Sequence, residues 1–257
     1  MGISLNDHDT LDGLEEFMTA PSSREITRVP ALEISTQYGE YSPHLHGYFV
    51  PENNKLLESK LTWLRHERDV RFSKMLDKVR ELGVSPSKKY LEELMQGVMS
   101  PGRPHLGRIL IDYRIVQDMN EAFDKYLKKG GDIYLPKVKL DIEEAIRLLR
   151  KVGAVPVIAH PLDIRAPSIR DCLIEFKEMG ILGAEIEYDY TNMGIIEKPN
   201  VVVNAAAELG LIGTGGTDYH GGGWRVLIGT VSVSMEVIDQ LRDAALELGN
   251  DLDSWSN

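Results

Sequence analysis

Two rhythms of apolar residues alternate along this chain. Short apolar runs, some with period-two alternation, read as strands at 1–6, 25–35, 41–50, 133–136, 154–159, 183–188 and 226–233, and one more empties into a glycine-rich loop after Ile212. Apolar residues at helical spacing read as helices at 11–18, 57–82, 87–99, 104–113, 119–127, 140–152, 167–179, 200–209 and 235–248. Asp9 or Thr10 would cap the first helix, and Gly83 would stop the long charged one. The polar end, 249–257, reads as frayed.

Strand, polar corner, helix is the repeating unit of an α/β fold. The alternation implies a mostly parallel sheet, open or closed into a barrel, with its chemistry at the carboxyl ends of the strands. No strand signal interrupts the block from the long helix to Ile133, so residues 66–132 read as a helical insertion between two parts of one α/β domain, 1–65 and 133–257. A length of 257 residues suits one large domain with a sub-domain.

Composition changes this picture mainly by exclusion. A formal charge of −11 argues against blanket neutralisation of a nucleic-acid backbone, so no duplex DNA partner is expected. It leaves room for a phosphorylated substrate, because divalent cations reverse the field locally. The single cysteine, Cys172, cannot form an internal disulfide, which makes a reducing cytoplasm the default setting. No apolar stretch is long enough for a membrane helix. There is no Gly-x-Ser-x-Gly, no Walker loop and no dinucleotide-binding glycine pattern behind a strand.

The candidate chemistry lies in the histidines. Of seven, five fall on strands or at strand ends: His8, His44, His46, His160 and His220. Acidic residues accompany them: Asp7 and Asp9 beside His8, Glu33 one strand before His44, and Asp218 two before His220. Glu33 closes an apolar strand, where a carboxylate is costly unless paired or bound to a cation. Any one of these histidines alone is more readily a packing or surface residue, and Gly213–Gly223 alone reads equally as a turn in which Asp218 caps the next segment. The set together points to imidazole and carboxylate ligation of Zn, Mn or Fe. In the helical block, Arg103 and His105 flank Pro104 at a helix start, and Arg65 and Arg68 on the long helix could point the same way. Each of those alone reads as a solvated basic residue.

Six ordered motifs, Leu5–Gly13 around Asp7-His8-Asp9, Ala31–Thr36 around Glu33, His44–Gly47, Gly102–His105, Ile158–Pro161 and Gly216–Gly221, resemble the PHP (polymerase and histidinol phosphatase) family. The likeness runs over nearly the whole chain and is nearest to the branch of metal-dependent phosphoesterases acting on nucleotides and short RNA. It implies a distorted (β/α)7 barrel with up to three divalent metals at the carboxyl ends of its strands. It further implies that Glu33 bridges two metals, His44 and His160 complete one site, Asp218 ligates the other, and His8 and His220 hold a third. Asp7 would orient a ligand, and Arg103 and His105 would meet the substrate phosphate; Arg65 and Arg68 join them as substrate-binding candidates because the long helix could point them the same way. Asp7, His8, Arg103 and His105 are the expected catalytic residues, and His46 receives no role. The implied reaction is hydrolysis of a phosphate ester by metal-activated hydroxide, with a 3',5'-bisphosphate, AMP or the 5' end of a short RNA as substrate.

Members of that family open with a strand bearing His-x-His, whereas this sequence begins at the Asp-His-Asp corner. The expectation is therefore a barrel lacking its first βα unit, with one metal site incomplete. Two rivals follow: a catalytically impaired PHP-like module serving as a scaffold or regulatory subunit, and an amidohydrolase-like barrel acting on a C–N bond. The second would need a carboxylated lysine and a first-strand His-x-His, and His44-Leu45-His46 has that spelling only later in the chain.

Overall fold

The structure is a computed structural model that describes residues 1–96, 101–193, 195, 200–220 and 227–255. The chain divides into two compact units, Met1–Ser59 with Lys139–Asn257, and Lys60–Val138.

The first unit is built on one curled sheet. Its strands are β1 (Gly2–His8), β2 (Thr27–Gln37), β3 (His44–Tyr48), β4 (Leu140–Asp141), β5 (Val155–Ala159), β6 (Gly183–Tyr188) and β7 (Ile212–Gly216). Their order is β1-β2-β3-β5-β6-β7, with the two-residue β4 pairing on β2. Pairings β1–β2, β5–β6 and β6–β7 are parallel, whereas β3 runs antiparallel to both neighbours. With β2–β4 also parallel, the sheet is mostly parallel as expected, and β3 is its antiparallel exception. The physical reason is the short link from β2 to β3, closed by the Tyr38–Tyr41 bridge, which leaves no room for a crossover helix.

β2 is buried from Val29 to Thr36, as a strand covered on both faces must be. Helix α6 (Ile142–Lys151) packs on this part of the sheet, and Gly47 permits the approach: a Cβ there would lie 2.6 Å from Leu149 Cδ2. Asp141 caps α6 by accepting from the N–H groups of Glu143 and Glu144, and acidic first-turn and basic last-turn residues suit its dipole. Helix α7 (Ile169–Met179) is capped by Ser168 and ends at Gly180, whose φ of 112° favours glycine. Helix α8 (Asn200–Leu209) packs on β6 and α7, and α9 (Glu236–Glu247) places Leu241 and Ala245 in a core with Val29, Ala31, Val155 and Val157.

The second unit is helical. It holds most of α2 (Lys55–Glu81), then α3 (Lys88–Leu94), α4 (Arg103–Asp112) and α5 (Met119–Ala122), continued by a π-helical turn at Phe123–Leu127. Its own core gathers Met75, Val79, Leu106, Ile109, Leu110, Leu127 and Ile133.

Several expectations are corrected. The first helix, α1 (Leu14–Thr19), starts at Gly13 without a side-chain cap. Asp9 is unavailable because it is buried and accepts from Ser35 N–H and Oγ–H at 2.9 and 3.1 Å, tying the end of β1 to β2. Residues 133–136 form no strand; Ile133 is spent in the helical core. Of the strand expected at 226–233, residue 226 lies outside the described residues and 227–233 form turns and bends, with Leu227 and Ile228 exposed. The last part of the helix expected at 87–99 also lies outside the described residues. In the polar end, residues 249–255 are tied down rather than frayed, while 256 and 257 lie outside the described residues: Asn250 Nδ2 donates to Phe49 O and Gly153 O, and Trp255 Nε1 donates to Val50 O. Among the described residues no helix is long and apolar enough to cross a membrane.

Candidate metal centre

Register explains why distant residues meet. In the ladders His8 lies opposite Glu33, Glu33 opposite His46, and His44 opposite both Ser35 and Ala159, the residue before His160. Glu33, only 2% exposed, therefore sits amid four imidazoles. His44 Nδ1 lies 2.6 Å and His160 Nε2 3.3 Å from its Oε1, and His46 Nε2 lies 3.6 Å and His8 Nδ1 3.7 Å from its Oε2. Ring centroids of His8 and His44, and of His44 and His160, are each 5.2 Å apart. His8 and His220 are 5.9 Å apart, and His220 Nδ1 is 3.5 Å from Asp218 Oδ1. All six residues expected as metal ligands are thus joined in one continuous cluster. Ligand atoms of His8, Glu33 and His44 lie within 4.8 Å of one another, a spacing that could hold a metal ion.

Burial would raise the Glu33 carboxyl, but hydrogen bonds from His160, His44 and His46 outweigh it and hold the group well below the usual carboxylate range. The counterpart appears at His160: burial opposes its charge, yet Glu33 wins and pushes it up to about 9. His46 is raised in the same way against its burial. Asp7 is raised, chiefly by burial, while His8 and His220 pull it down; a Cβ on Gly13 would lie 2.7 Å from its Oδ2, so the glycine makes room for this carboxylate.

The strand ends are also where the backbone is strained. Asp9, His160 and Asp218 all have positive φ, at 55°, 28° and 47°. Left-handed non-glycine residues cost on the order of 1–3 kcal/mol and gather at functional sites, where surrounding contacts hold them.

The basic candidates belong to the helical unit. There the Arg103 guanidinium lies over Phe123 and Tyr134, 5.4 and 5.9 Å from the ring centroids, and Nη1 donates to Leu127 O at 3.4 Å. His105 Nδ1 accepts the Gly102 N–H at 3.1 Å, closing the start of α4, so only Nε2 is left to meet a ligand. Arg71, which the sequence reading passed over, donates from Nε to Leu135 O; burial and the nearby charges of Arg103 and Arg68 lower its pKa. Helical spacing was the available signal, because Arg68 and Arg71 lie one turn apart.

Two further residues escaped the sequence reading. Glu185, buried on β6, accepts the His160 N–H at 2.8 Å through Oε2, and its burial raises its pKa. The signal was the one that marked Glu33, a carboxylate inside an apolar strand. Tyr188 donates its hydroxyl to Asp218 Oδ2 at 2.9 Å.

A curled α/β sheet that gathers imidazoles and carboxylates along its strands and just beyond their ends resembles that of a PHP-like metal-dependent phosphoesterase. Comparison with known proteins finds phosphoesterases among the proteins the chain is similar to. The chain is 27% identical over 230 residues to the 3',5'-nucleoside bisphosphate phosphatase of Chromobacterium violaceum, covering 86% of this chain and 77% of that protein. It is 26% identical over 221 residues to the 5'-3' exoribonuclease of Haemophilus influenzae, covering 85% of this chain and 78% of that one. Its fold matches a crystal structure assigned as a metal-dependent phosphoesterase from Bifidobacterium adolescentis, with a TM-score of 0.76 at 21% identity over 95% of this chain and 85% of the other. It also matches a structure from Chromobacterium violaceum described as an amidohydrolase with bound sulfate and no metal, with a TM-score of 0.75 at 24% identity over 95% and 86% of the two chains. No family model matches the chain.

Proposed function

We propose that this protein is a metal-dependent phosphoesterase that hydrolyses a phosphate monoester or diester of a nucleotide or of the 5' end of a short RNA. The observation that carries the reading is Glu33, a buried carboxylate with four imidazole nitrogens within 3.7 Å and joined through His8 to His220 and Asp218. Mixed nitrogen and oxygen donors of this kind suit Mn, Zn or Fe, at up to three positions. Bound there, divalent cations would act as Lewis acids on the phosphoryl group and lower the pKa of water.

On this reading Glu33, His44, His160, Asp218, His8 and His220 hold the cations. Asp7, half-buried beside His8 and His220, orients the imidazoles. Arg103 and His105, with Arg65 and Arg68, bind the substrate phosphate, the guanidiniums offering paired donors to its oxygens. We take the sheet as the main part of a distorted (β/α)7 barrel and residues 66–132 as its helical insertion. The names of the Chromobacterium violaceum and Haemophilus influenzae relatives favour a 3',5'-bisphosphate, an AMP-like nucleotide or a short RNA as substrate. The acidic chain suits a small substrate held by local charges, and one buried cysteine suits a cytoplasmic setting.

The test combines metal analysis with phosphate release from 3',5'-bisphosphates. Chelation should abolish release and Mn, Zn or Fe should restore it. A protein that binds metal yet cleaves no phosphoester would refute the enzyme reading and favour a scaffold.

A further inference from the structure

Strand β6 supplies none of the six residues expected as ligands, yet two of its side chains reach the cluster. The cause is a slip in the β6–β7 ladder: Glu185 pairs with Thr214, while Glu187, two residues on, pairs with Gly215. One extra residue on β6 resets the alternation of faces. Glu185 and Tyr188, three positions apart, are consequently both buried, and Glu187 is exposed. An unbroken strand would send them to opposite faces.

Each of the two holds a strained element of the cluster. Glu185 Oε2 fixes the backbone N–H of His160, whose φ is 28°. Tyr188, 9% exposed, gives its hydroxyl hydrogen to Asp218 Oδ2 at 2.9 Å, and its ring leans on His160 at 5.4 Å and Tyr190 at 4.7 Å. The other oxygen of Asp218, Oδ1, faces His220 Nδ1 at 3.5 Å.

We propose that Tyr188 is a positioning residue for the metal centre: by engaging Oδ2 it locks the Asp218 carboxylate so that Oδ1 is the single oxygen presented to a divalent cation. This rests on the reading of Asp218 as a ligand given above. A hydroxyl on the non-ligating oxygen selects one carboxylate rotamer before the cation arrives, and loss of such an outer partner costs about ten- to a hundredfold in metal affinity.

The test uses cobalt(II) as probe on the chelator-stripped full chain, followed by visible absorption and equilibrium dialysis. Tyr188→Phe should weaken cobalt binding about ten- to a hundredfold and change the visible spectrum. Tyr190→Phe is the comparison: its hydroxyl meets Leu162 N–H in the same aromatic group and does not touch Asp218, so affinity and spectrum should match wild type. A Tyr188→Phe titration that superimposes on wild type overturns the proposal. If that variant does not fold, 3-fluorotyrosine placed at 188 keeps the hydroxyl. Its fluorine resonance should shift on addition of zinc(II), and an unmoved resonance overturns the proposal. Wild-type protein that binds no cobalt would overturn both this inference and the metal-centre reading. Equal binding by wild type and Tyr188→Phe overturns this inference alone.

Discussion

Replacing Glu33 by Gln keeps the side chain's shape and removes the charge that holds the imidazoles, so it should reshape the pH dependence of stability in the chelated protein. His160 carries the effect that can be sized. Its pKa rises from the ordinary 6.5 to about 9 because Glu33 outweighs burial, and at about 1.36 kcal/mol per pH unit the protonated form contributes ~3 kcal/mol to the fold. That contribution is complete below pH 6.5, where folded and unfolded states are both protonated. It fades as pH rises through about 9, because the folded state must then give up a proton it bound tightly. Glu33 works in the opposite sense: its depressed pKa stabilises the fold above the ordinary 4.5 and loses effect as pH falls through the folded value. Wild type should therefore show a plateau near pH 5–6 and lose about 6–12 °C of melting temperature towards pH 9.5. Glu33→Gln should lack most of both shoulders, with Glu185 and Asp218 sustaining a residual slope. Thermal unfolding by circular dichroism in excess chelator, from pH 4 to 10, measures this. Parallel curves for the two proteins would refute the account. With metal present the pH dependence of binding runs the other way, since ligands must shed protons to bind, and affinity should climb with pH.

Other predictions are simpler. On the proposed role of Arg103 at the substrate phosphate, Arg103→Ala should raise KM for a nucleotide bisphosphate about tenfold or more, the loss of a charge-assisted contact worth ~1.5–3 kcal/mol, with metal content unchanged; steady-state kinetics and metal analysis check both halves. Asn250→Ala should cost ~1–3 kcal/mol by stranding the Phe49 and Gly153 carbonyls, read as a lower urea midpoint. Phe176→Ala, which empties a fully buried site packed edge-on against Tyr38 at 5.0 Å, should cost ~3–5 kcal/mol while leaving metal stoichiometry intact.

Much of this arrangement could be read in the sequence because the relevant signals are local. Short apolar runs located β5 and β6, Gly83 marked the end of the long helix, and buried-strand placement singled out Glu33. What escaped reading depends on contacts between distant segments. Asp9 looked like a cap because its spacing to the helix was right, but Ser35, on the next strand, takes both its oxygens. The direction of β3 follows from the Tyr38–Tyr41 bridge, which no apolar period encodes. Tyr188 was hidden by the bulge, because strict alternation places it on the face away from Glu185. Ile133 had a strand-former's composition and went to a helical core instead.

The sheet's middle pairing carries a consequence for how the molecule is made. β3 meets β2 soon after synthesis, but its other neighbour, β5, follows only after the whole segment Lys60–Val138 has been produced. A nascent chain must therefore keep the far edge of β3 from foreign partners while the intervening helices, rich in local contacts, are still emerging. Ribosome-stalled chains ending before Val155 should accordingly show protease protection in the helical segment well before it spreads to residues 44–48.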